Sequence, residues 1–184
     1  MGRNSLGSIV HTHSGRGPCA ALSPGREGMS SAKRSLLAVS VQADGVRSPV
    51  ATDRLVEVAQ QSLRALKVKN ALVSITLVTP RAIAALNKQH LGHSGRTDVI
   101  TFALGADPNG VVLADIYVCP EVASEQAKRH GVGVREELAR LVVHGVLHVC
   151  GWEHPEDDSR TTSPMWRRQE QLLARFWPTR SARA

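Results

Sequence analysis

The sequence predicts a single mixed α+β domain, with helices packed on a four-stranded mixed sheet. Three observations carry this. Four short runs rich in β-branched residues lie between residues 36 and 119, and helical patterns separate or follow them. The chain has 184 residues, room for one domain of ordinary size. Its 42% hydrophobic content is enough for a real core and argues against wholesale disorder.

Residues 1–34 show no periodicity and are rich in Gly, Ser, Pro and Arg, so they read as a disordered basic tail. His11 and His13 fall in it as polar tail residues, and Met29 stands just before the ordered pattern begins. Leu36–Gln42 reads as a strand. Ser48-Pro49 opens a helix to about Lys67, with Leu55, Ala59, Leu63 and Leu66 on one face. Ala71–Thr79 is the next strand. Thr79-Pro80 caps a helix bearing Ile83 and Leu86, because Pro is favoured at the first helical position. Asp98–Leu104 and Val111–Cys119 are strands joined by a turn at Asp107-Pro108-Asn109-Gly110. Pro120 starts a helix that Gly131 ends, Val134–Cys150 is a long helix stopped at Gly151, and Ser163-Pro164 begins a last helix with Met165, Leu172, Leu173 and Phe176 inward. The domain therefore spans 35–176, and 177–184 form a short basic tail.

Charge narrows the function classes. The formal net charge is +7, which invites a nucleic-acid reading. The excess is all at the ends, with +4 in 1–34, +3 in 175–184 and a neutral body between. Aromatic residues make up 3% of the chain, too few for a platform of stacking rings. The three cysteines, Cys19, Cys119 and Cys150, have no framework spacing. No apolar run approaches a membrane span, and the N-terminus lacks a secretory h-region. The expectation is a cytoplasmic protein with no membrane association.

The chemistry lies in Val143–His154. His144 and His148 are four apart on a predicted helix, so they share a face one turn apart. Gly151 ends that helix and lets the chain fold back, bringing His154 to the same point. Three imidazoles can hold one divalent metal and leave a fourth tetrahedral position for water, as in catalytic zinc sites. Zinc is the first candidate, and nickel, copper and iron also suit such a donor set. The alternative is structural histidines bonded to carbonyls, which three residues at this spacing disfavour. Cys150 reads as buried packing. The spacing is also that of a metzincin protease, but the general-base Glu of that motif is replaced by Gly145. Glu153, among the nearby acids, is a supporting candidate that can orient a ligand His.

In His144, Gly145, Leu147, His148, Gly151 and His154 the sequence resembles the YbeY family of bacterial rRNA-maturation endoribonucleases. The likeness extends to Leu86-Asn87, to Thr97-Asp98-Val99-Ile100-Thr101-Phe102, to Ala114-Asp115-Ile116, and to Met165 and Glu170. It covers roughly residues 37–176. It implies a zincin-like fold and a metal-dependent endoribonuclease specific for single strands. It also implies a role in maturing the 3′ end of 16S rRNA and in late-stage 70S ribosome quality control, with ribosomal RNA and the small subunit as partners. Asp98 and Thr97 then position substrate or brace the site. Where many family members carry an Arg this chain has Leu91; His90 and Arg96 lie close by, and Arg96 is the candidate substrate contact. Two rivals remain: a metal-dependent hydrolase of peptides, and a non-enzymatic ribosome assembly factor with a structural metal.

Overall fold

The computed structural model describes residues 8–11, 35–155 and 157–178. Its sheet runs in the order β1-β4-β5-β3-β2, with β1 Ser8–His11, β2 Leu37–Ala43, β3 Ala71–Leu77, β4 Val99–Ala106 and β5 Val112–Val118. The helices are α1 Thr52–Ala65, α2 Pro80–Leu91, α3 Pro120–His130, α4 Val134–Val149 and α5 Pro164–Phe176, with a 3-10 turn at Asp158–Thr162 before the last.

The four expected strands are present and their pairing is mixed. β2, β3 and β5 are mutually parallel, while β4 runs antiparallel to β5. The hairpin follows from its turn: Asp107 Oδ1 accepts from the amides of Asn109 at 2.9 Å and Val111 at 2.8 Å. β1 departs from the reading of 1–34 as a tail without structure, since Ser8–His11 pairs in parallel with β4. Ile9-Val10 is a β-branched pair too short to register as a periodic run among glycines and serines. His13, Cys19 and the rest of 12–34 lie outside the described residues, as do 179–184.

Helix ends fall where local chemistry puts them. α1 begins at Thr52 rather than at Ser48, because the Ser48 hydroxyl folds back onto the carbonyl and amide of Val50. Thr79 caps α2 by accepting from the Ala82 amide at 3.2 Å, and Ser163 caps α5 by accepting from Trp166 at 3.1 Å.

One face of the sheet carries most of the core. Leu55 and Leu63 of α1, Leu138, Leu141 and Leu147 of α4, and Met165 and Leu172 of α5 pack there on Ile75, Leu77 and Ile116. On the other face α2 sets Ile83 against Ile100 and Phe102. α4 is the central element, packed against α1, α3, α5 and strands β4 and β5. It reaches the sheet through Gly145, where a Cβ would lie 2.9 Å from Ile116 Cγ2 and 3.2 Å from Thr101 Oγ1. The glycine is therefore a packing requirement. Among the described residues no helix is long and apolar enough to cross a membrane.

Candidate metal centre

The predicted stop of α4 builds the site. Gly151 adopts φ 78°; its amide donates to the His148 carbonyl at 2.9 Å, and the Trp152 amide to the Leu147 carbonyl at 3.0 Å. That is a Schellman cap, which a glycine at this position permits. The reversal carries His154 back over the helix end. His144, His148 and His154 offer ring nitrogens that all lie within 4.8 Å of one another. His148 Nε2 is 2.9 Å and His154 Nε2 3.3 Å from His144 Nε2.

The outer nitrogens decide the protonation pattern. His144 Nδ1 faces Gln169 Oε1 at 2.8 Å, His148 Nδ1 the Trp152 carbonyl at 2.8 Å, and His154 Nδ1 the Pro155 carbonyl at 2.9 Å. Those partners are acceptors, so each ring places its proton on Nδ1. Gln169 is fixed in this sense because its Nε2 donates to Glu170 Oε1 at 3.0 Å. Three Nε2 lone pairs then converge, which is repulsive without a cation between them. Tetrahedral coordination at the usual zinc–nitrogen length sets ligand nitrogens roughly 3.3 Å apart, close to the separations found. The residues present fit a divalent metal.

Burial pushes His144 down to about 3, and its hydrogen bond with Gln169 opposes the shift. The ring is therefore neutral at physiological pH, the form that ligates metal.

The other sequence candidates sit differently. Asp98 is fully buried: Oδ1 accepts from Thr97 Oγ1 at 3.1 Å and the Val99 amide at 2.8 Å, and Oδ2 from Gln126 Nε2 of α3 at 3.0 Å. Thr97 is 1% exposed, so the pair braces the entry to β4 from within. Arg96 is exposed and forms a bidentate pair with Glu125 of α3, at 2.9 and 3.0 Å. Leu91 is half-buried against the α2-side cluster, and His90 meets Phe102 edge-on with ring centres 5.0 Å apart. Glu153 is exposed. Cys150 is buried in the core, as expected.

Sequence reading missed Gln169 and the charged group one turn beyond His144. Arg140 bonds Glu136, Glu137 and Glu170. Each left a trace: Gln169 interrupts the apolar stripe of Met165 and Leu172, and Glu137 lies on the stripe of Leu141, His144 and His148. A polar residue on a buried stripe needs a partner, and that was the available signal.

The model for Endoribonuclease YbeY matches residues 41–177. The chain belongs to the YbeY family. Curated proteins named Endoribonuclease YbeY agree. One from Frankia casuarinae is 36% identical over 151 residues, covering 75% of this chain and 74% of that protein. One from Salinispora tropica is 37% identical over 148 residues, covering 72% and 92%. A solution structure from Thermotoga maritima is similar at 28% identity and a TM-score of 0.50, covering 76% of this chain and 89% of that one. The YbeY match includes all three histidines and the Gln169 that orients one of them.

Proposed function

We propose that this chain is a metal-dependent endoribonuclease cutting single-stranded RNA. We place it in maturation of the 3′ end of 16S rRNA and in late-stage 70S ribosome quality control, acting in the cytoplasm on the small subunit. The observation that carries the reading is the convergence of three Nε2 lone pairs whose rings have committed their protons elsewhere. His144, His148 and His154 would hold one divalent ion, zinc first. When bound, such an ion supplies Lewis acidity at a phosphodiester oxygen and a water of lowered pKa.

The chain does the rest. The Gln169 amide oxygen and the carbonyls of Trp152 and Pro155 fix ring orientation and raise ligand basicity. The apolar body of α4 keeps water from the rear of the site. Asp98 and Thr97 hold β4, and through Thr101 the sheet beneath Gly145, in place. The peptide-hydrolase alternative loses ground: a glutamate at 145 would drive into Ile116, so the fold has no room for the protease base there.

The test joins metal analysis to RNA cleavage. Wild type should hold about one ion per chain and cut single-stranded RNA, and the His144→Ala/His148→Ala double variant should do neither. Equal metal content in both would sink the metal site; equal cleavage would trace activity to a contaminant. If chelation only lowers the melting temperature and metal-loaded protein cuts no RNA, the assembly-factor reading replaces this one.

A further inference from the structure

A cavity of about 240 Å³ opens beside His144, between α4, the 3-10 turn and α5. On α4 its wall is the stripe Glu137, Arg140, Leu141 and His144, so it runs along about two helical turns. The opposite wall holds Arg160 of the 3-10 turn and Trp166 of α5. The volume is below the ~300–1,000 Å³ of a typical ligand site, which suits one flat group. Arg160 is only 8% exposed. A cation taken so far out of water is costly unless polar groups answer it, and Arg160 does have an interaction within the chain. Its guanidinium carries five donors in a planar fork, the geometry that matches phosphate. Val132, Leu141 and the Trp166 indole give part of the wall an apolar, aromatic character, the surface on which an unstacked base packs.

We propose that this cavity binds the nucleotide flanking the bond to be cut, with Trp166 against the base and Arg160 at the phosphate. The inference rests on the ribonuclease reading and adds to it the two residues that seat the strand beside the metal centre. It also gives the site a reason to demand single strands, since a base in a duplex cannot enter a slot of this size.

The experiment uses the full, zinc-loaded chain and a single-stranded RNA oligonucleotide. Trp166→Leu should raise KM about tenfold while kcat stays within about threefold, and Trp166→Phe, which keeps a ring, should restore most of the loss. Arg160→Gln should raise KM similarly and reduce the slope of log affinity against log salt by about one, the signature of one lost phosphate contact. Arg160→Lys keeps the charge, guards against misfolding and should lie between. All variants should retain wild-type metal content. Wild-type KM and salt slope in properly folded Trp166→Leu and Arg160→Gln would overturn the subsite and leave the ribonuclease reading standing. Wild-type protein that neither binds nor cuts the oligonucleotide would overturn both.

Discussion

α4 carries two buried polar clusters one turn apart, and they solve the same problem in opposite ways. Toward its N-terminus, Arg140 is ringed by Glu136, Glu137 and Glu170. Burial works against its charge, but the hydrogen bond and charge of Glu170 and the charge of Glu137 outweigh it and hold the guanidinium ionised. Charge there is answered within the chain. Toward the C-terminus, three histidines point their Nε2 atoms at one another. A polar cluster that closes on itself serves the fold; one that cannot close serves a ligand. Gln169 and Glu170, adjacent on α5, join the two, because Glu170 Oε1 accepts from both Gln169 and Arg140.

The comparison can be broken most severely at Arg140. Arg140→Ala leaves Glu137 buried without its cation, at a cost of about 3–5 kcal/mol. Burial already raises the Glu137 pKa against the pull of Arg140. A carboxyl raised in the fold contributes stability that is present at low pH and lost as pH rises through its folded value. The deficit in Arg140→Ala should therefore shrink between neutral pH and the carboxylate range in denaturant melts. A deficit independent of pH would mean that the closed cluster is not held by charge.

Gly145→Ala should cost about 1–3 kcal/mol by overpacking, since the added methyl meets Ile116 and Thr101. Ile116→Ala in the same chain should return part of that loss, and strict additivity would refute the close approach. Gln169→Ala should weaken metal affinity about 10–100-fold in competition with a chelator, with the fold intact, and Gln169→Glu should keep the acceptor and most of the affinity. The smallest effect belongs to the surface. Arg96→Ala removes a bidentate but exposed pair with Glu125 and should change stability by about 0.2–1 kcal/mol; a larger loss would mark Arg96 as more than a strut.

How far this was legible in the sequence varied with range. The three histidines could be read because helical spacing and a glycine stop are local rules. The capping threonine and the hairpin aspartate were legible for the same reason. Gln169 and Glu170 act across 25 and 30 residues, and no periodicity announces a partner at that distance. Gly145 was readable as a missing protease base, but not as a contact with Ile116, because that contact depends on how closely α4 approaches the sheet. β1 was hidden by brevity.

The ring partners also imply an order of assembly. His148 and His154 take theirs within four residues, so both can be set as soon as the cap on α4 forms. His144 waits for Gln169, which arrives only when the final helix docks. Loop-closure cost rises with separation, so two ligands form early and cheaply while the third comes last. If the three rings hold an ion, its tight binding would report that the C-terminal helix is home, and a chain cut short before α5 would be left with one ring loosely held.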